Sequence, residues 1–354
     1  MVHTTNRSVA QGNIINIAPP KFGELVSISA GLLWTRLTIP SKLDHINIYL
    51  IKDKGGWFAI DSGPSSDANR GIWEEIVQKL PEPKKLTGLL VTHCHPDHIG
   101  LSGWIQQHFQ VPVYASENEI SKARRDEFSR LSSDHEKDDF FYRTLGVSNT
   151  EIPELKKYAR VMDNLYGPLP EKVKIIEKGE SIIIGENDWD IWSGSGHSVE
   201  HICLKNDKLG IFISGDQVLP GITPHVGTDI ISLNDNPIKN WLESLTDLKS
   251  WVNPDYLVLP AHERIFFNAI ARVDEILEHH HNLLRTLIRK LDQWLTTDEL
   301  LSFVGWGAVK GFGRCLALEE TFAHLIFLVN SGEVKIQKNE SSDAIEFRSI
   351  LVEK

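Results

Sequence analysis

The stretch THCHPDHIG, residues 92–100, places three histidines and one aspartate within six consecutive positions. It follows KLTGLLV, residues 85–91, whose length and apolar character are typical of a buried strand, so we expect a loop where that strand ends. Alternate side chains of an extended segment share a face. His93 and His95 are therefore predicted to point the same way, whereas Cys94 points away and is interpreted as a small core residue.

Pro96 directly follows this pair of histidines. It has no backbone N–H to donate, so the extended segment is predicted to end there. The turn lets Asp97 and His98 approach from the opposite side. Two pairs of ligands on opposite sides of one short loop favour a site for two metal ions over a site for one.

Three further candidate ligands lie in similar settings along the chain. Each follows an apolar, strand-like run: His197 in WSGSGH, Asp216 in IFISGD and His262 in YLVLPAH. Loops that leave the strands of a rigid sheet can meet at one edge of it. Taken singly, His197 or His262 is readily interpreted as a hydrogen-bonded core residue. Together with the cluster at residues 92–100, they are expected to complete one metal site.

The order His-x-His-x-Asp-His, Gly-His, Gly-Asp and Pro-Ala-His resembles the metallo-beta-lactamase superfamily, in particular glyoxalase II and its relatives, over roughly residues 22–265. The resemblance implies that Asp61 braces the ligand loop without binding metal. The penicillin-degrading zinc enzymes generally lack the combination of a histidine after Asp97 and an aspartate at position 216, and this chain has both, so antibiotic hydrolysis is not expected. The implied ligands are His93, His95 and His197 for one metal, Asp97, His98 and His262 for the other, and Asp216 between them.

The expected cofactor is a pair of divalent transition-metal ions, zinc first, with iron and manganese as alternatives because all three accept His/Asp coordination. Two such ions can lower the pKa of a shared water from 15.7 toward about 7, which gives a bridging hydroxide, and can polarise a scissile carbonyl. Asp97 is expected to orient this nucleophile. His225, close in sequence to Asp216, is our candidate for positioning the substrate, with simple packing as the alternative.

The predicted fold is α+β, a four-layer αββα sandwich with a helical insertion and a small C-terminal domain. A polar leader at residues 1–21 precedes a catalytic domain at residues 22–267. Within it, residues 116–170 are charged and helix-like, and are interpreted as a cap over the site mouth. The alternative is a helical pair that only covers the sandwich.

The C-terminal segment, residues 268–354, is predicted to contain helices followed by a hairpin, as in a winged-helix domain. The predicted helices are residues 268–291, a start at 296–299 and residues 316–330; the hairpin is 334–337 with 344–347. Residues 279–281, three histidines in a row, are interpreted as a solvated or packed helix face. Residues 314–325 resemble the tail of the glyoxalase-like branch that includes a mitochondrial endoribonuclease and fungal polyketide thioesterases.

Charge and composition limit the classes of partner. The formal net charge is −11, and the C-terminal segment carries 10 Lys plus Arg against 13 Asp plus Glu, so nucleic-acid binding is not expected. Packing or dimer contact is the expected role of that segment, which leaves a homodimer open. The three cysteines are widely spaced and suggest no disulfide framework. No apolar segment has the length of a membrane span, and the N-terminus lacks the core of a signal peptide, so a cytoplasmic location is expected.

The function predicted from the sequence is hydrolysis of a small-molecule thioester or ester, as in acyl-thioesterases and hydroxyacylglutathione hydrolases. One alternative is a metal-dependent endoribonuclease, which the tail's resemblance favours and its charge disfavours. A lactonase is a second alternative. A non-catalytic binding protein would retain the fold, but such proteins tend to lose ligands, and none of the seven is missing here.

Overall fold

The structure is a computed structural model that describes residues 17–131, 135–228 and 235–351. Most of the predicted leader at residues 1–21 lies outside these ranges. The described residues form two β-sheets packed face to face, with helices on both outer faces. This is the four-layer αββα arrangement that the sequence predicts.

The first sheet contains, within the described residues, seven strands in chain order. The first four strands are antiparallel to one another, and the last three join in parallel through helical connections. The strands are β1 (Val26–Ser29), β2 (Leu32–Thr38), β3 (His45–Asp53), β4 (Gly56–Ile60), β5 (Leu86–Leu90), β6 (Val113–Ala115) and β7 (Val173–Ile175).

The second sheet, in the same part of the chain, also follows chain order and has six strands. Its strands pair antiparallel, except for the parallel pair β11 and β12. The strands are β8 (Ser181–Ile184), β9 (Asn187–Gly194), β10 (His201–Asn206), β11 (Ile211–Gly215), β12 (Leu257–Pro260) and β13 (Phe266–Phe267).

Strand β3 shows how the sequence builds two cores from one sheet. Ile48 and Leu50 belong to the cluster that packs against helix α1 (Asp67–Lys79). Tyr49 and Ile51, the alternating positions, belong to the cluster between the two sheets. Because successive strand residues point to opposite faces, this run is apolar without interruption from Ile48 to Ile51 and is buried on both sides.

Two more helices follow β5 on the outer face of the first sheet, α2 (Pro96–Ile99) and α3 (Ser102–Phe109). Helices α4 (Glu117–Leu131), α5 (His135–Thr144) and α6 (Ile152–Asp163) then lie between β6 and β7, inside the predicted insertion.

The apolar side of this insertion contacts the C-terminal segment. Leu145 and Leu155 are buried in one cluster with Leu287 and Leu318. Phe141 and Tyr142 are buried in the same cluster, whereas Phe140 is 44% exposed because the helix turns it to the surface. A role for these helices as a cap over the site stays a prediction.

On the second sheet, α7 (Pro237–Trp251) and α8 (Ala269–Lys290) form the outer layer. The remaining elements are β14 (Leu295–Thr296), α9 (Thr297–Leu300), α10 (Phe312–Asn330), β15 (Val334–Lys338) and β16 (Ile345–Ser349), and the three strands pair in the order β14-β16-β15.

The helices and the hairpin predicted for the C-terminal segment are all present. Helix α9 starts within the predicted residues 296–299, where Thr296 and Glu299 form a reciprocal capping box. Helix α10 begins at Phe312, four residues before the predicted start at residue 316. The winged-helix description of this segment stays a prediction. Among the described helices, none combines the length and apolar character needed to cross a membrane.

Candidate metal centre

The predicted ligands come together at one edge of the two sheets, in the segments that follow strands. The cluster at residues 92–100 follows β5, and His197 follows β9. Strands β11 and β12 run in parallel, with Gly215 paired to Pro260, so Asp216 and His262 emerge beside each other just past the strand ends. The structure therefore brings together all seven predicted ligands: His93, His95, Asp97, His98, His197, Asp216 and His262.

Three imidazoles form the first group. His93 Nε2 lies 2.9 Å from His95 Nδ1 and 3.2 Å from His197 Nε2. His93 and His95 share a face of the extended segment, as the alternation predicts. All three nitrogens converge on one point, which is the arrangement of a three-histidine metal site.

The second group contains one carboxylate and two imidazoles. Asp97 Oδ2 lies 3.3 Å from His262 Nε2 and 3.8 Å from His98 Nε2. Asp97 and His98 belong to the short helix α2, which Pro96 begins at its first position. This turn brings Asp97 and His98 to the centre from the other side of the loop, where the His98 ring lies beside the His93 ring with centroids 4.0 Å apart.

Asp216 lies between the two groups. Its Oδ2 atom is 3.4 Å from His197 Nε2 and 3.5 Å from His98 Nε2, and its Oδ1 atom is 3.3 Å from His262 Nε2. One carboxylate thus faces ligands of both groups. This is the position that the resemblance implies for a bridging ligand.

The chemistry of these contacts fits bound cations. His98 and His262 each direct the outer ring nitrogen, Nδ1, to a fixed oxygen acceptor, 2.8 Å away on Asp61 and 2.9 Å away on the His45 carbonyl. The inner Nε2 atoms of both histidines, and Oδ1 of Asp216, are buried without a hydrogen bond. Fixing one ring nitrogen as donor and leaving the other for a metal is a common arrangement in metal sites.

Several ligand-atom spacings also match those expected around a tetrahedral metal ion. Two atoms that are each about 2.0–2.1 Å from a tetrahedral zinc lie about 3.3–3.4 Å from each other. His262 Nε2 is 3.3 Å from oxygens of both Asp97 and Asp216, and His93 Nε2 is 3.2 Å from His197 Nε2. The residues present can therefore hold metal ions with little rearrangement.

The electrostatics differ between the two groups. Burial, followed by neighbouring imidazoles, holds the pKa of His93 and His95 well below the ordinary value, which favours the neutral form that binds metal. Burial also disfavours charge on His262, but the carboxylates of Asp216 and Asp97 outweigh it and raise its pKa to about 10. Burial raises the pKa of Asp97, but His98 and His262 outweigh it and lower the pKa to about 2. The second group therefore carries a carboxylate that is ionised at neutral pH and attracts a cation.

The hydrogen bonds of Asp61 confirm its expected role as a brace of the ligand loop. Its backbone lies in the left-handed region, with φ at 64°, just after β4. Its carboxylate accepts hydrogen bonds from the Thr92 backbone N–H at 2.8 Å and from His98 Nδ1 at 2.8 Å. One buried side chain thus holds both the start of the ligand loop and the orientation of a ligand.

Sequence reasoning missed Glu119, which lies fully buried near the start of α4. Its carboxylate accepts hydrogen bonds from the Cys94 N–H at 2.8 Å, the Ser198 hydroxyl at 2.6 Å and the Glu200 N–H at 2.6 Å. It therefore joins the loop that carries His93 and His95 to the loop that carries His197. A lone glutamate in a charged helix gives no sequence signal for this role.

His201 and His45 were missed as well. His201 Nε2 accepts a hydrogen bond from the Asp216 backbone N–H at 3.0 Å, and burial, with a contribution from His197, lowers the pKa of His201 to about 3. His45 accepts on its carbonyl from His262 Nδ1. The available sequence signal for His201 was its proximity to His197, which does not reveal that His201 supports the backbone of Asp216.

His225 lies beside the centre, but its imidazole faces α10. Its backbone carbonyl accepts a hydrogen bond from His197 Nδ1 at 2.7 Å. Its ring forms ion pairs with Glu319 at 3.3 Å and Glu320 at 3.5 Å. Positioning of a substrate by His225 stays a prediction.

A second buried group of potential ligands contains His280, Glu320 and His324. Its hydrogen bonds form a directional chain: Trp241 donates to His280 Nε2 at 2.9 Å, His280 Nδ1 lies 3.0 Å from His324 Nε2, and His324 Nδ1 donates to the Glu320 carbonyl at 2.7 Å. Trp241 can only donate, so His280 Nε2 carries no proton and Nδ1 does. This favours a hydrogen-bonded chain over a metal site, and it confirms that His280 belongs to a packed helix face.

The comparison with protein families decides the identity of the fold. A family model described as the metallo-beta-lactamase superfamily matches residues 42–262, more than half of the chain. The chain belongs to this superfamily. The match covers strands β3 to β12 and every predicted metal ligand. This membership, with the ligand groups described above, makes the protein a member of the metal-dependent hydrolases.

The individual relatives of this protein are distant in sequence. The probable metallo-hydrolase YqjP of Bacillus subtilis is 23% identical over 297 residues, which cover 82% of this chain and 89% of that protein. The acyl-coenzyme A thioesterase MBLAC2 of Homo sapiens is 26% identical over 201 residues, 55% of this chain and 66% of that protein. The crystal structure of a beta-lactamase domain protein from Burkholderia ambifaria has a TM-score of 0.86 at 26% identity and covers 95% of this chain and 98% of that one.

Proposed function

We propose that this protein is a dinuclear metal-dependent hydrolase that cleaves acyl-thioesters or esters of small molecules. The observation that carries the proposal is the position of Asp216, whose two carboxylate oxygens face ligands of two separate groups. A single-metal centre would need no carboxylate between them. Zinc is the proposed metal, with iron and manganese as alternatives.

When bound, the two metals supply Lewis acidity and lower the pKa of water at the site. The chain contributes a set of preoriented groups around them. Asp97 is the most exposed carboxylate of the centre, with 16% of its side chain accessible against 5% for Asp216. Because its pKa is lowered to about 2, Asp97 is ionised at neutral pH and can accept a hydrogen bond from the attacking water. We propose that it orients this water toward the substrate.

The segment that follows the inserted helices contacts the end of the ligand loop. The backbone N–H of Gly167 donates to the Gly100 carbonyl at 2.9 Å, and the Ser65 N–H donates to the Leu165 carbonyl at 2.7 Å. The first bond holds the segment after α6 against the end of the ligand loop, and the second holds it against the loop that follows β4. We propose that this segment shapes the pocket for the acyl group, which is the function expected of a cap.

Two considerations support a thioester as the substrate. One relative, MBLAC2, is described as an acyl-coenzyme A thioesterase. The net charge of −11 disfavours long polyanions such as RNA, whose binding relies on cationic contacts. Endoribonuclease and lactonase activities are the alternatives, and a panel of substrates distinguishes them.

The test combines metal analysis with a substrate panel on one preparation. Fully loaded protein is expected to hold about two transition-metal ions per chain and to hydrolyse acyl-coenzyme A or acylglutathione thioesters. Asp216→Asn should lose metal and turnover together, whereas the exposed Asp255→Asn is the matched control and should retain both. Loaded protein that never exceeds one metal per chain would contradict the dinuclear centre. Cleavage of single-stranded RNA or of lactones, with no turnover of any thioester or ester, would replace the proposed substrate.

A further inference from the structure

The segment between β11 and residue 228 has no regular secondary structure, yet it contacts a metal ligand directly. His197 donates its Nδ1–H to the His225 carbonyl at 2.7 Å. This contact leaves Nε2 of His197 free to face the centre, 3.2 Å from His93 Nε2. The position of the His225 backbone therefore sets the orientation of a predicted ligand.

Two different parts of the chain hold this segment. Its first half is tied by Arg272, which donates to the Leu219 carbonyl at 2.7 Å and to the Ile222 carbonyl at 3.0 Å. Glu263 also accepts a hydrogen bond from the Gly221 N–H at 2.7 Å. Its second half, which contains the carbonyl that His197 needs, contacts α10.

At α10, two consecutive glutamates face the His225 ring. Glu319 Oε2 lies 3.3 Å from Nε2, and Glu320 Oε2 lies 3.5 Å from Nδ1. The His225 side chain is 17% exposed and that of Glu320 is 8% exposed, so the contact is largely shielded from solvent. A Cβ atom at Gly227 would lie 2.4 Å from His225 Nε2, so the lack of a side chain there makes room for the ring.

We propose that Glu319 and Glu320 are positioning residues for the metal centre, acting on His197 through His225. The inference rests on the proposed function, since it assumes that His197 binds metal. It assigns a role to the C-terminal segment, because both glutamates lie outside the part of the chain that the family model matches, residues 42–262. Neither glutamate touches the reacting groups. Both act by fixing where the His225 carbonyl lies.

The expected effect is on metal affinity. Removing a partner of a metal-binding histidine typically weakens metal binding by about 10- to 100-fold. The glutamates act on His197 through one further residue, His225. We therefore expect metal binding to weaken by the lower end of this range, roughly tenfold, for one of the two metal ions. The hydrogen bond and ion pairs of His225 reach His197, Glu319 and Glu320, not the other group, which is built from Asp97, His98 and His262 and should keep its affinity.

The test uses the full chain and Glu319→Gln, Glu320→Gln and the double variant. The matched control is Glu340→Gln, an exposed glutamate on the same C-terminal segment. Zn²⁺ affinity is measured by competition with a chromophoric chelator, and the ligand field by the visible spectrum of the Co²⁺ form, both without substrate. The double variant should bind one equivalent roughly tenfold more weakly and show an altered Co²⁺ spectrum, whereas the control should match the wild type.

A second variant separates positioning from simple packing. His225→Asn removes both ion pairs but keeps the backbone carbonyl, so it should weaken the same equivalent, and adding the glutamate changes should weaken it no further. Lowered melting temperature with unchanged affinity and unchanged Co²⁺ spectrum would overturn the inference. If the double variant does not fold, the single variant at Glu319, which is the more exposed of the two, decides by the same measurements. Wild-type protein that binds fewer than two metals would instead contradict the proposed function.

Discussion

Replacement of Glu119 by alanine should destabilise the protein by about 2–6 kcal/mol. The carboxylate is fully buried and accepts hydrogen bonds from the Cys94 N–H, the Ser198 hydroxyl and the Glu200 N–H. Leaving a buried donor without a partner costs about 1–3 kcal/mol, and the donors on Cys94 and Ser198 are both in buried contacts. The costs of these two unsatisfied donors add up to the stated range. The half-buried contact to the Glu200 N–H is not included in it.

Glu119→Gln is the milder change. The amide keeps the shape and one acceptor oxygen, but its NH₂ group must face at least one of the three donors. We expect a loss of about 1–3 kcal/mol, the cost of one unsatisfied contact. Glu117→Gln, at an exposed position on the same helix, is the matched control and should change stability by no more than about 0.5 kcal/mol.

Urea unfolding of the metal-free protein measures these differences, provided that the slope against denaturant stays the same between variants. Zinc affinity is measured on the same samples by competition with a chelator. Loss of Glu119 should also affect this affinity, because Cys94 lies between two candidate ligands and Ser198 follows a third. Both Glu119 variants should bind zinc more weakly than the wild type. A Glu119→Ala protein within 1 kcal/mol of the wild type and with normal zinc affinity would show that this carboxylate does not hold the two loops together.

Two other changes test the supporting contacts. Asp61→Asn removes a charged acceptor of His98 Nδ1 and should weaken metal binding by about 10- to 100-fold in zinc competition; the exposed Asp292→Asn is its control, and equal affinities would refute the bracing role. Trp241→Phe leaves His280 Nε2 without its donor and should lower the free energy of unfolding in urea by about 1–3 kcal/mol. Wild-type protein that binds a third zinc, lost on changing His280, would contradict the hydrogen-bonded chain.

Local features of this chain could be predicted because the residues responsible lie close together in the sequence. The loop at residues 92–100 carries four ligands, and the alternation of an extended segment followed by Pro96 is enough to place them in two pairs. The buried strands, the insertion helices and the helix start at residues 296–299 also follow from periodicity and from local start signals. The remaining ligands were found from their order along the chain, which the superfamily shares.

The sequence by itself therefore determined the fold class, the candidate ligand residues and the positions of several helices and strands. Only the tertiary structure decided how the ligands are held. Glu119 is 25 residues from Cys94 and 79 from Ser198, and His225 faces glutamates more than 90 positions further along the chain. Such contacts leave no periodic pattern, because a hydrogen bond between two loops depends on the packing of the elements that carry them. For the same physical reason, the sequence could not show that the insertion helices pack on the C-terminal segment, since any apolar helix face can be buried against any other.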